Sequence, residues 1–311
     1  MHHIFVNLKR FEVPRKMGGV CPMDDSRRWI ETVMDETIAL GLGTLQEIHL
    51  TFLLPESLLA NALDQVWHYT AGHTRAISLG CQGVYREDIK PGSNFGAFTS
   101  NRPATPMRLL GCEWAMIGHS EERKDKLGVI AQYDPESLTD LARQNQAKMA
   151  VDSLIHAEVI SALQAGLNTL ICVGETAAEK GEGDFSVQKP RIEAVLRAQL
   201  EANLKGVAEF IPGRQIVIGY EPIWAIGPGK TPPGADYIGF VSAFIKQAVQ
   251  ELYGFTPAVV YGGGLKEENA AMIAGIPTID GGLVALTRFT GEIGFSPAEL
   301  KEIIDKAYQE N

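Results

Sequence analysis

Three short stretches of this chain carry side chains suited to proton chemistry. Asn7 and Lys9 close the first apolar run, His119, Ser120 and Glu121 follow another near the middle, and Glu221 follows a third. A carboxylate, an imidazole and an ammonium around one cavity suit proton transfer next to a carbonyl. The carboxylate takes the proton, and the imidazole and ammonium stabilise the oxyanion that forms. Behind Glu221 runs PIWAIGPGKTPP, a rigid apolar middle between prolines with Gly227 and Gly229 at its tip, which reads as a lid. YGGG at Tyr261–Gly264 allows a tight turn before a helix, where free backbone N–H groups attract an anion.

These residues are far apart in sequence, so the fold must gather them. Short β-rich runs are predicted at Ile4–Asn7, Glu47–Phe52, Arg75–Gly80, Trp114–Ile117, Thr169–Val173, Gln215–Tyr220, Ala258–Tyr261 and Thr278–Asp280. Helical patterns lie between them at Ser26–Leu40, Glu136–Ala165, Pro190–Leu204, Ala235–Leu252, Glu267–Ala274 and Pro297–Ala307. Strands alternating with helices pair in parallel. Eight of them favour a closed (β/α)8 barrel, in which every strand end opens on one mouth. Continuous apolar strands such as IVIG at Ile216–Gly219 fit burial on both faces. Phe11–Pro22 and Tyr85–Pro106 read as long loops on that mouth.

Composition narrows the classes. The 311 residues are 45% hydrophobic and 21% charged, with a net charge of −10. That balance predicts a packed core and argues against a nucleic-acid surface. No apolar run is long enough for a membrane span, and the N-terminus lacks a signal-peptide pattern. The four cysteines show no paired spacing, so a reducing cytoplasm is expected. His2, His3, His49, His68, His73 and His156 lack metal spacing and read as surface or core residues; no metal and no cofactor is expected.

Taken together, NLK at Asn7–Lys9, GHSEER at Gly118–Arg123, CVGET at Cys172–Thr176, YEPIWAIGPGK at Tyr220–Lys230 and YGG at Tyr261–Gly263 resemble the triosephosphate isomerase family, in the family's order and over nearly the whole chain. GAFT at Gly96–Thr99 resembles its dimer-interface loop. The resemblance implies a TIM barrel, here a single domain over residues 1–311 with inserted loop segments. It implies that Glu221 is the catalytic base, His119 the electrophile, Lys9 the electrostatic clamp and Asn7 a positioning residue, with Glu121 as the acidic neighbour of the histidine. The substrate would be a small phosphorylated sugar, its phosphate held near Gly227, Gly264, Ala285 and Leu286. The assembly would be a homodimer. A glutamate after a strand is usually solvated, and a lone YGGG is weak; each gains meaning only beside the other motifs.

Departures from the family's pattern bear on the substrate. Gly264 stands where the family usually has a lid-latching serine, and the lid tip reads Gly227-Pro228-Gly229 rather than Gly-Thr-Gly. Ala285 and Leu286 replace two phosphate-binding glycines, which makes Arg288 a candidate substitute. Glu122 stands where the family has arginine, and Ser100-Asn101 replace its Gly-Glu, so a charged interface pair is missing. Three readings follow. The first is interconversion of dihydroxyacetone phosphate and glyceraldehyde 3-phosphate. The second is isomerisation of another short ketose phosphate, such as an erythrulose phosphate. The third is a non-catalytic sugar-phosphate-binding relative.

Overall fold

The computed structural model describes residues 1–227 and 230–308. Eight parallel strands close a barrel in sequence order: β1 (His2–Asn7), β2 (Ile48–Leu54), β3 (Ile77–Cys81), β4 (Trp114–Ile117), β5 (Asn168–Val173), β6 (Ile216–Tyr220), β7 (Ala258–Tyr261) and β8 (Gly281–Val284), which pairs back onto β1. The helices are α1 (Ser26–Ala39), α2 (Glu56–Trp67), α3 (Ala71–Thr74), α4 (Ala104–Leu110), α5 (Ser120–Tyr133), α6 (Leu141–Gln164), α7 (Ala177–Lys180), α8 (Phe185–Asn203), α9 (Ala235–Tyr253), α10 (Ala270–Ala274) and α11 (Pro297–Tyr308).

Strand residues alternate between two cores because successive side chains point to opposite faces. Phe5, Leu53, Trp114, Met116, Leu170, Cys172, Val217, Val260 and Leu283 fill the barrel interior. Their neighbours, including Ile4, Val6, Phe52, Ile117, Ile171, Ile218 and Val259, pack outward against the helices. The same alternation carries Asn7 and Glu221, just past the last inward residues of β1 and β6, to the mouth.

The eighth strand and two helices depart from expectation for identifiable physical reasons. The eighth strand lies at Gly281–Val284 and not at Thr278–Asp280. Its glycines disguise it, since glycine disfavours strands unless backbones approach closely. They do so here: Gly281 has φ 148°, and a Cβ there would lie 1.9 Å from the His3 carbonyl oxygen. The single helix expected over Glu136–Ala165 is a 3-10 turn at Pro135–Leu138 followed by α6, because the Asp140 carboxylate caps a new start by accepting from the Arg143 N–H at 2.9 Å. In α8 the helix begins before Pro190, at Phe185, whose ring packs on Tyr237 and Phe240 at 4.9 and 5.3 Å. That aromatic cluster anchors a first turn which the proline alone would discourage.

Long connections gather on the mouth face. The loop after β1 carries a bridge between Pro14 and Cys21, and the loop after β8 one between Arg288 and Gly294. Arg15 Nη1 joins the two loops through Glu292 Oε2 at 2.8 Å.

Candidate active site

β1 delivers Asn7 and then turns sharply: Lys9 has φ 42°, a conformation that costs a non-glycine residue free energy. Two side chains hold it there. Asn7 Oδ1 accepts from the Lys9 N–H at 3.0 Å. Gln82, one residue past β3, donates through Nε2 to Asn7 Oδ1, to the Lys9 carbonyl and to the Leu53 carbonyl, each at 3.1 Å. The Lys9 ammonium points to Glu121 Oε1 at 2.6 Å. Burial raises the Glu121 carboxyl, but the Lys9 hydrogen bond and charge outweigh it and hold the group below the usual carboxylate range.

β4 ends at Ile117, and Gly118, with φ 78°, turns the chain into α5. His119 is the N-cap of that helix, and its Nδ1 accepts from the Glu121 N–H at 3.3 Å. Nδ1 is therefore an acceptor, which leaves the proton on Nε2, and Nε2 lies 3.2 Å from Glu221 Oε1. Glu221, delivered by β6, is only 2% exposed. Its Oε2 accepts from the Ser120 N–H at 2.9 Å and its Oε1 from the Ser120 hydroxyl at 3.2 Å. Asn7, Lys9, His119, Glu121 and Glu221 thus lie in one linked cluster, with Gln82 added. A lone glutamine after an apolar strand carries no sequence signal for this role; its partners are 29 to 75 residues away.

The segment after Glu221 is anchored by Glu175 of the CVGET motif. Glu175 Oε1 accepts from Trp224 Nε1 at 2.7 Å, from the Tyr237 hydroxyl at 2.8 Å and from the Tyr220 hydroxyl at 3.0 Å. Burial raises its carboxyl pKa against those donors. The Lys180 ammonium lies 3.5 Å from the centre of the Trp224 ring. Gly227 is exposed with φ 114°, and Pro228 and Gly229 of the lid tip lie outside the described residues.

The residues expected to hold the phosphate flank the ends of β7 and β8. Gly264 has φ 91°, the conformation its tight turn needs, and the next N–H, of Leu265, is bound to the Leu283 carbonyl at 3.1 Å. The helix expected there opens instead with a 3-10 turn, and the Lys266 N–H is taken by Asn269 Oδ1 at 2.8 Å. Ala285 and Leu286 are half-buried directly after β8. Arg288 does not point into this space unengaged: its guanidinium pairs with Glu299, Nε to Oε1 at 2.7 Å. Lys266 crosses from the β7 loop to the β8 loop, with its ammonium 3.9 Å from the Phe289 ring centre. Among the described residues no cluster of His, Cys, Asp or Glu could hold a metal ion, and no helix is long and apolar enough to cross a membrane.

Known proteins resemble this arrangement over most of its length. The family model described as triosephosphate isomerase matches residues 47–292. A triosephosphate isomerase of Moorella thermoacetica is 36% identical over 211 residues, covering 67% of this chain and 70% of its own. One from Chlorobium phaeovibrioides is 35% identical over 227 residues, covering 72% and 74%. One from Chloroherpeton thalassium is 33% identical over 237 residues, covering 75% and 77%. The crystal structure of triosephosphate isomerase from Bartonella henselae superposes with a TM-score of 0.66 over 99% of both chains; at 24% identity it speaks to the barrel fold.

Proposed function

The chain belongs to the triosephosphate isomerase family, and from that premise and the site geometry we propose that it interconverts dihydroxyacetone phosphate and glyceraldehyde 3-phosphate through an enediolate. The observation that carries the reading is the 3.2 Å approach of His119 Nε2 to Glu221 Oε1 at the barrel mouth. Glu221 removes a proton from the carbon beside the carbonyl. His119 donates its Nε2 hydrogen to the carbonyl oxygen as negative charge develops there, and the Lys9 ammonium and Asn7 amide share that charge. Glu221 returns the proton to the former carbonyl carbon while the adjacent hydroxyl gives its proton back to His119 Nε2 and becomes the new carbonyl, which completes the isomerisation with no cofactor and no net change in redox state. A glutamate base paired with a neutral imidazole is the well-known pattern of triosephosphate isomerase chemistry. Glu121 orients Lys9 rather than touching the reacting atoms.

The phosphate sits on the mouth face near Gly227, Gly264, Ala285 and Leu286. The enzyme is a single domain that works in the cytoplasm as a homodimer. Phe95, at the tip of the loop after β3, is 85% exposed, and an open groove of about 470 Å³ runs along Glu121, Lys124 and Val129 beside the site. Both features suit loop insertion between copies, and sedimentation at micromolar concentration tests it.

A second reading is isomerisation of a longer ketose phosphate. The half-buried Ala285 and Leu286 at the expected phosphate glycines favour it. Turnover of purified protein with three-carbon and four-carbon ketose and aldose phosphates separates the two. Absence of turnover on all of them would leave a binding protein.

A further inference from the structure

Behind His119 lies a half-buried ionic cluster that the proton chemistry does not use. Glu122 turns inward from the first turn of α5 and its Oε2 accepts from the Gly118 N–H at 2.7 Å. The next residue grips the other side of the same glycine: Arg123 Nε donates to the Gly118 carbonyl at 2.8 Å, and Nη2 to the Cys172 carbonyl at 3.3 Å. Gly118 is in the left-handed region at the junction of β4 and α5, and these two side chains take its N–H and its carbonyl. Lys126, one turn on, reaches Glu122 Oε1 at 2.6 Å and Glu158 Oε1 of α6 at 3.0 Å. Two carboxyl groups therefore share one ammonium.

We propose that Glu122 is a positioning residue for His119: its carboxylate, matched by Lys126 and by a proton resident on Glu158, clamps the Gly118 peptide and so fixes the imidazole against Glu221. This rests on the reading of His119 as the group that polarises the substrate carbonyl.

Charge balance supports the proton on Glu158. The side chain is 6% exposed and its Oε2 meets no donor hydrogen. A buried and a half-buried carboxylate facing one lysine would leave an uncompensated charge, which a low-dielectric interior resists. A proton on Glu158 supplies the missing hydrogen bond to Glu122 and balances the set. Burial first, and Glu122 second, push the Glu158 carboxyl up to about 8. The ionisable groups around the pair are Lys126 and Arg123 of α5, Asp152 of α6, which holds Arg123 at 2.7 Å, and the buried Cys172 thiol of β5. Loss of the Glu158 proton sets two carboxylates against each other and loosens the clamp.

The test compares wild type, Glu122→Ala, Glu122→Gln and Glu158→Gln by steady-state kinetics from pH 6 to 10 and by ¹⁵N NMR of the His119 ring. Displacement of a reacting group by about 1 Å can cost up to about 100-fold in rate. Glu122→Ala is expected to lose at least about 10-fold in kcat with KM changed less than about 3-fold, and Glu122→Gln, which keeps an acceptor for Gly118, recovers part of that loss. The His119 Nε2–H signal shifts in Glu122→Ala. Wild-type kcat falls as pH rises through Glu158's titration, and in Glu158→Gln that alkaline fall is gone. Wild-type kcat and an unmoved His119 signal in Glu122→Ala would overturn the proposal, as would the same alkaline limb in wild type and Glu158→Gln. If Glu122→Ala does not fold, the other two variants decide by the same readouts. If no sugar phosphate is turned over, the isomerase reading fails, while the His119 signal still tests the clamp.

Discussion

Ser120 holds Glu221 twice, through its backbone N–H at 2.9 Å and its hydroxyl at 3.2 Å. The proposed base is thus docked on Ser120 and must leave it to reach a substrate carbon. Replacing Glu221 with Ala removes the proton acceptor, and kcat is expected to fall by at least about 1,000-fold; Asp, one methylene shorter, loses about 100-fold or more through misplacement alone. Ser120→Ala deletes only the longer bond and keeps the N–H, so kcat changes by less than about 10-fold. Near-wild-type turnover by Glu221→Ala would remove this residue from the mechanism.

Gln82 is expected to matter although it carries no charge. One amide nitrogen serves three acceptors and holds Lys9 at φ 42°. Gln82→Ala removes the donor shared by the Lys9 carbonyl with Asn7 Oδ1 and the Leu53 carbonyl, which keep the Lys9 and Leu8 N–H groups, and frees the strained turn, at a cost of about 1–3 kcal/mol in stability. Because Lys9 is then mispositioned, KM rises and kcat falls together. Chemical denaturation alongside kinetics checks both, and an unchanged KM would mean that Lys9 stays in place unaided.

Much of the candidate site is legible in sequence because it clusters in short motifs at strand ends: NLK, GHSE and YEPIW each place a candidate side chain at a strand end or within two residues of it. What stays hidden depends on distant partners or on backbone geometry. Gln82 acts on residues 75 and 73 positions away. Glu175 has a motif but no assigned task until three donors converge on it. β8 escapes the sequence reading because glycine propensity argues against a strand, whereas the close approach of β1 requires glycine there. Glu122 reads in sequence as the loss of an interface charge, and its inward turn toward Gly118 is visible only in the fold.

Acid is expected to destabilise the barrel floor. His3 is 8% exposed between His49 and Trp114, and burial first, then the His49 charge, push its pKa down to about 4. An unfolded histidine titrates near about 6.5, so between these values the unfolded chain binds the extra proton. Stability from this site is fully present above about pH 6.5 and falls as pH drops toward 4, by up to about 3 kcal/mol. Urea unfolding of wild type and His3→Phe at several pH values checks this. The wild type should weaken more steeply over that window; parallel curves would show that His3 carries none of the acid sensitivity.

Two cations near the proposed phosphate site are expected to differ in their roles. Arg288 is the residue best suited on sequence to replace the lost glycine amides, yet its guanidinium is committed to Glu299, which also accepts from the Thr287 hydroxyl at 2.7 Å. Drawing it onto a phosphate means breaking a multiply bonded pair. Lys266 lies on the other side of that gap. Its stem passes 4.0 Å from where a Gly264 side chain would begin, and its ammonium rests over the Phe289 ring, a contact worth about 0.5–1 kcal/mol at an exposed site. An incoming phosphate dianion can displace such a contact, because a charge-assisted hydrogen bond is roughly twice as strong as a neutral one. Lys266→Ala is therefore expected to raise KM by about 10-fold, the loss of about 1.4 kcal/mol of binding, with little change in kcat. Arg288→Ala is expected to leave KM within about 2-fold while lowering stability by up to about 1 kcal/mol through the freed Glu299. Ala285→Gly tests the same pocket from its other wall, since restoring a small residue admits the phosphate closer to the backbone and lowers KM for triose phosphate. A larger KM increase in Arg288→Ala than in Lys266→Ala would reverse the assignment and place the phosphate on the β8 side of the mouth.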